Sequence, residues 1–224
     1  MTIDRLIELV KFLVSNIFIN NETISRQTIG IPMGTNCAPP LANLFLYHYE
    51  SSYISRVEAE EGVEVAKQFH MTFRLIDDVL SVDNPMIQKA LENPFEMGGL
   101  YPASLQLNKT SNSDDSVDFI GVNIKTLKTH FRLSVYDERK YFPFKVRRYP
   151  LMCSLIPQTI PYGVFVGQLH RGYRICSDVE DFLSFAVELA LTLLNNGCSY
   201  KRLNNLFKCF VQEHVDKYPK IGKC

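Results

Sequence analysis

The stretch Met71-Thr72-Phe73-Arg74-Leu75-Ile76-Asp77-Asp78-Val79-Leu80-Ser81-Val82 sets two short apolar runs on either side of two adjacent carboxylates. Runs of this length, parted by turn-forming acids, predict a strand, a turn and a strand, with Asp77 and Asp78 at the tip. Two carboxylates held that close repel, so both ionise comfortably only with a cation or solvent between them. Mg²⁺ (or Mn²⁺) takes such oxygen ligands and completes its shell with water and substrate phosphates. Taken alone, the pair reads as an ordinary solvated turn, because Asp favours turns on its own account.

Upstream lies Gln27-Thr28-Ile29-Gly30-Ile31-Pro32-Met33-Gly34-Thr35-Asn36-Cys37-Ala38-Pro39-Pro40-Leu41-Ala42-Asn43-Leu44-Phe45-Leu46. Gly30 and Gly34 admit a close backbone approach that a Cβ would block, and Pro32 stiffens the loop between them. From Pro39 onward Leu41, Leu44, Phe45 and Tyr47 suit a helix to about Arg56, with both prolines in its first turn. Glu58–Glu64 reads as a charged link beyond it. A loop feeding a helix start offers N–H groups to a phosphate or sugar. A purely structural loop–helix junction has the same residues, so this motif is also weak by itself.

In this order, and roughly forty residues apart, the two stretches are specific together. Gly-Ile-Pro-Met-Gly-Thr-x-x-Ala-Pro-x-Leu-x-Asn-Leu-Phe followed by Ile-Asp-Asp resembles reverse transcriptases, above all those of Penelope-like and related eukaryotic retroelements. The resemblance implies an α+β fold: a partial polymerase palm, an antiparallel sheet flanked by helices, followed by an all-helical thumb. It implies template-directed nucleotidyl transfer to a primer 3′-hydroxyl by two divalent ions, with deoxynucleoside triphosphates and an RNA or DNA primer-template as partners. By the same resemblance Asp77 is a metal ligand and Asp78 its catalytic neighbour. Gly30, Pro32, Met33 and Gly34 line the nucleotide and template pocket, Lys109 lies near the triphosphate, and Phe119-Ile120-Gly121 looks like a primer-grip hairpin.

Two departures bear on activity. Polymerases of this kind need a third carboxylate on a palm strand upstream of the Gly-Pro motif, and the acids before Gly30 are Asp4, Glu8 and Glu22, none of which follows an apolar strand. Fingers and first metal ligand therefore read as missing, the Asp-Asp hairpin as left with an unpaired edge, and polymerase activity of the chain alone as weak or absent. Leu75 also stands where the family usually has Tyr or Phe. The alternative is a retroelement remnant that binds nucleic acid without chemistry.

The rest of the chain supplies context. Ile3, Leu6, Ile7, Val10, Leu13, Val14 and Ile17 recur at helical spacing, and Ile17–Ile19 with Ile24–Thr28 read as a hairpin around polar Asn20–Thr23. A short helix is expected between Pro85 and Gly98, and strands at Leu105–Leu107, Val117–Ile124 and His130–Tyr136. Three helices follow: one from Pro161 to near Cys176, one opened by a Ser177-x-x-Glu180 capping box and one capped by Ser199. Phe182, Ala186, Leu189 and Leu193 share a face of the second, and Leu203, Leu206, Phe207 and Phe210 of the third. The expected division is a palm-like part over 1–136, a basic, Pro-containing linker over 137–160 and a thumb-like part over 161–224.

Composition bounds these readings. The 224 residues are 46 % hydrophobic with 24 cations against 24 acids, which excludes a disordered chain. No apolar stretch reaches the ~20 residues of a membrane span, and the first residues do not read as a signal peptide, so an intracellular protein without a membrane partner is expected. Six scattered cysteines without a CxxC pair read as free thiols, and the histidines show no zinc spacing. Charge is uneven: residues 1–136 carry 11 Lys/Arg and 16 Asp/Glu, the remainder 13 and 8. Lys145, Arg147, Arg148, Arg171, Arg174, Lys201 and Arg202 are the candidate nucleic-acid contacts of the basic part, and solvated helix faces explain them equally well.

Overall fold

The computed structural model describes residues 2–31, 34–110, 115–144 and 146–214. It is an α+β chain that divides into two compact units, Met1–Asn108 and Lys109–Cys224.

In the first unit, α1 (Ile3–Ser15) starts at Thr2, whose hydroxyl accepts the Arg5 N–H. β1 (Phe18–Asn21) and β2 (Thr23–Arg26) form the expected hairpin, turning at Glu22 in the left-handed region (φ 62°). Arg26 fastens the hairpin to α1 by donating to the Ser15 carbonyl at 2.7 and 2.9 Å. α2 (Ala38–Glu60) carries its prolines in the first turn as expected, but it runs a turn past Arg56. Glu58 and Glu60 of the expected link are helical, Glu61 caps α2, and the break comes at Gly62, whose φ of 95° no helix continues. A one-turn helix, α3 (Val63–Ala66), and a 3-10 turn (Lys67–Met71) lead into β3 (Thr72–Leu75) and β4 (Asp78–Ser81). α4 (Ile87–Glu92) follows, and a 3-10 turn over Phe95–Met97 ends at left-handed Gly98. Tyr53 and Val57 of α2 bury against Ala66, Ala90, Leu100 and Tyr101 to make the core of this unit. Leu105–Leu107 is not a strand: it has no ladder partner to satisfy its backbone.

The second unit holds a three-stranded antiparallel sheet, β5 (Ser116–Phe119), β6 (Val122–Thr126) and β7 (Phe131–Val135), in sequential order. The expected single strand Val117–Ile124 is thus a hairpin broken at Ile120–Gly121, both of positive φ (50° and 72°). That is the backbone of the two-residue turn that matches strand twist. A 3-10 turn over Glu138–Tyr141 and an irregular arm follow. The helices are α5 (Ile160–Ile175), α6 (Val179–Asn195) and α7 (Tyr200–Glu213). Their packed faces are those the periodicity marks: Phe182, Ala186, Leu189 and Leu193 with Leu203 and Phe210, closed by Phe165 and Leu169 of α5. Gly172 lets α6 come close, since a Cβ there would sit 2.6 Å from the Phe185 ring.

Neither expected cap forms. Asp178 takes the N-cap position of α6, and the Ser177 hydroxyl instead accepts the Leu133 N–H of β7 at 3.0 Å. Ser199 occupies the N-cap position of α7 without a side-chain bond, while its own N–H donates to the Tyr162 hydroxyl. At Ser177 a tertiary partner outcompetes the local one; at Ser199 the tertiary bond engages the backbone N–H rather than the hydroxyl. β7 and α6 are tied by the Arg132 guanidinium, at 2.7 and 2.9 Å from the two Asp181 oxygens. Among the described residues no helix is long and apolar enough to cross a membrane.

Candidate functional site

β3 and β4 pair antiparallel as a separate two-stranded sheet, with Thr72 opposite Ser81 and Leu75 opposite Asp78. The register moves the tip by one residue from the expected position. Ile76 and Asp77 form the turn, and Asp78 opens β4. Ile76 takes a φ of 54°, an uncommon conformation for a β-branched side chain that costs ~1–2 kcal/mol. Asp77 and Asp78 are both exposed.

What holds this hairpin is Arg74, one strand position before Leu75. Its side chain is 13 % exposed. Nε donates to Glu50 Oε1 at 2.5 Å and Nη2 to Oε2 at 3.2 Å, a two-pronged grip on α2. Nη1 donates to Asn43 Oδ1 at 2.8 Å and to the Ile76 carbonyl at 3.4 Å. The Tyr101 hydroxyl donates to the same Glu50 Oε1 at 2.8 Å. One guanidinium thus joins the strained turn beside Asp77 to the helix that grows out of the Gly/Pro stretch. The hydrogen bond to Glu50 holds the Arg74 guanidinium above its ordinary range. Burial, followed by the bond to Glu50, pushes the Tyr101 phenol well above its own.

No Asn43, Glu50, Arg74 or Tyr101 contact was expected from sequence. The signal was available: Arg74 is a lone cation within an apolar strand, and such a residue needs a counter-charge when it turns inward. Asn43 and Glu50 stand seven residues apart on α2, two turns along one face.

Gly30 and Gly34 take φ of 93° and 89°, so both need glycine for their backbone. A Cβ on Gly34 would meet nothing within 4 Å, and one on Gly30 only the Gln27 amide at 3.4 Å. Among the described residues nothing else covers these backbone faces. The helix start behind them differs from expectation: Ala38 donates its N–H to Thr35, Leu41 to Cys37, and Pro39 and Pro40 have none to give. No spare N–H is left between Ala38 and Leu41 for a phosphate. Pro32 and Met33 lie outside the described residues.

The pair, Asp77 in the turn and Asp78 at the start of β4, offers exposed carboxylate oxygens of the kind Mg²⁺ takes beside water and phosphate. It falls short of a two-ion site, since no group of three or more His, Cys, Asp or Glu gathers among the described residues. Asp4 and Glu8 sit on α1 and Glu22 in the first hairpin turn.

The remaining candidates belong to the second unit. Lys109 is its first residue, and Lys145 lies outside the described residues. Arg147 and Arg148 line a groove between the arm and α6. Arg148 stacks over Tyr149 at 5.3 Å. Arg171 has a structural task, donating at 3.1 Å to the Gly121 carbonyl and so bracing the β5–β6 turn from α5. Arg174 is exposed near the end of α5. Lys201 and Arg202 open α7, with the Arg202 guanidinium 4.1 Å from the Tyr162 ring centre.

No family model matches the chain, and no curated protein and no solved structure matches it.

Proposed function

We propose that the chain is a reverse-transcriptase-like domain whose first unit carries the nucleotidyl-transfer site and whose second unit holds nucleic acid. The reading is supported most by one observation, the Arg74 bridge. It links the Gly-Ile-Pro-Met-Gly…Asn-Leu-Phe stretch to the Ile-Asp-Asp turn through Asn43 and Glu50. Between the two stretches themselves the direct link is the hydrogen bond from Arg74 Nη1 to Asn43 Oδ1, and the Glu50 ion pair anchors Arg74 from farther along α2. When bound at Asp77 and Asp78, Mg²⁺ or Mn²⁺ supplies charge for a leaving pyrophosphate and lowers the pKa of an attacking hydroxyl. Arg74 fixes the hairpin that presents both carboxylates, and Gly30 and Gly34 leave a bare backbone edge along which an incoming deoxynucleoside triphosphate lies. Because no third acid joins Asp77 and Asp78 among the described residues, the reading gives the chain alone weak activity. In a primer-extension assay with Mn²⁺ or Mg²⁺, slow synthesis is expected, falling about 100-fold or more in Asp77→Asn. Synthesis that Asp77→Asn leaves intact would refute the site.

A second reading, nucleic-acid binding without chemistry, is favoured by the charge of the second unit. It holds seventeen Lys and Arg against eleven acids, and the first unit seven against thirteen. Binding that weakens steeply with salt, with no extension in either metal, would select it.

A further inference from the structure

From Arg139 to Arg148 the chain carries five cations and no acid, with Tyr141, Phe142 and Phe144 set among them. Arg139, Phe142, Phe144, Arg147 and Arg148 line one wall of a groove of about 650 Å³, and Phe185, Leu189 and Asn195 of α6 belong to the other. Phe142 and Phe144 stack face to face, centroids 5.4 Å apart and planes within 3°. They nevertheless remain 47 % and 65 % exposed. Two stacked rings left this open beside a groove offer flat apolar faces to a ligand.

The charges point the same way. Asp137 is shared by two cations: Arg139 grips both of its oxygens, and Arg148 approaches at 3.8 Å. Arg147 lines the groove with no ion-pair partner among the described residues. Against Arg139, Arg147 and Arg148 the groove sets Asp137 and Glu188, which leaves it positive.

We propose that this groove binds single-stranded nucleic acid, with bases stacked on Phe142 and Phe144 and a phosphate on Arg147. A single strand offers both a free ring face and a regular line of charge. A duplex hides its base faces in its own stack, and an acidic peptide offers charge without flat rings. The inference rests on the nucleic-acid half of the reading above and is independent of its catalytic half.

The test is fluorescence anisotropy of a labelled oligothymidylate with the full chain, alongside a duplex of equal length. Tighter binding of the single strand is expected. Phe142→Ala/Phe144→Ala should weaken it about 10- to 100-fold, with unchanged circular dichroism because both rings are exposed. Arg147→Gln should weaken it less and reduce the salt slope by about one. Duplex bound as tightly as single strand, indifference to the double Phe variant, or equal competition by polyglutamate would each overturn the proposal. Primer extension separates the two readings: a Phe-dependent single-strand signal without extension keeps the groove and sinks the catalytic site. Extension by a chain whose oligothymidylate binding ignores the Phe variant does the reverse.

Discussion

Helices α1 and α6 carry the same kind of apolar stripe and end in opposite surroundings. On α6, Phe182, Ala186, Leu189 and Leu193 are buried against α5 and α7, and Leu193 is wholly inaccessible. On α1 no described residue is buried, with Ile3 76 % and Phe12 63 % exposed. The contrast extends to the units. The second buries twelve residues in one cluster and the first six, while Phe18, Ile24, Leu44, Phe73 and Leu75 of the first stay exposed. Amphipathicity thus states what a helix can bury, and a partner of matching shape decides whether it does. In the first unit much of the cohesion is polar: the Arg74 bridge, and Arg56 donating to the Gly98 and Gly99 carbonyls.

The largest effect that sharpens this contrast is a core truncation. Leu193→Ala should cost about 2–5 kcal/mol in urea denaturation, whereas Leu6→Ser on α1 should stay within about 0.5 kcal/mol. A Leu6→Ser loss as large as that of Leu193→Ala would show that α1 is covered in solution. Next comes the bridge. Arg74→Ala should lose about 1.5–3 kcal/mol, and a double-mutant cycle with Glu50→Gln should show coupling of order 1 kcal/mol. Additive losses would mean that the hairpin stands without α2, and the link between the two motifs would lose its meaning.

The smallest effects are in pH, one on the acid side and one on the alkaline side. The hydrogen bond from Arg139 holds the Asp137 carboxyl below the ordinary range. Its stabilisation is complete above the unfolded value of about 4 and is lost as pH falls through the lower folded value. Tyr101 is raised, so its contribution is complete below about pH 10 and is lost as pH rises beyond. Asp137→Asn should flatten the acid limb alone and Tyr101→Phe the alkaline limb alone. Denaturation midpoints between pH 2 and 5 and above pH 10 check both arms.

Where the sequence was misread, a distant group had replaced a local one. Val117–Ile124 looks like one strand because its apolar run is nearly continuous, although the likeness of Phe119-Ile120-Gly121 to a hairpin marked the turn that Arg171 braces from fifty residues away. Ser177-x-x-Glu180 has the spacing of a capping box, yet the Ser177 hydroxyl is taken by β7. The hairpin at Asp77 was legible because apolar runs and turn-forming acids are short-range signals. Its exact tip was not, since the register depends on which face of β3 must reach Glu50, and a one-residue slip would turn Arg74 away from it.

The amino-acid order alone determined the α+β class, the packed stripes of the last two helices, the Gly30 and Gly34 loop and the placing of two acids at a strand junction. All of these are local: propensity, periodicity and backbone freedom act within a few residues. Tertiary structure alone decided that Arg74 joins the two motifs, that α1 leaves its stripe uncovered and that Phe142 and Phe144 flank an open groove. Each depends on what a distant segment presents in space, and spacing along the chain does not encode that.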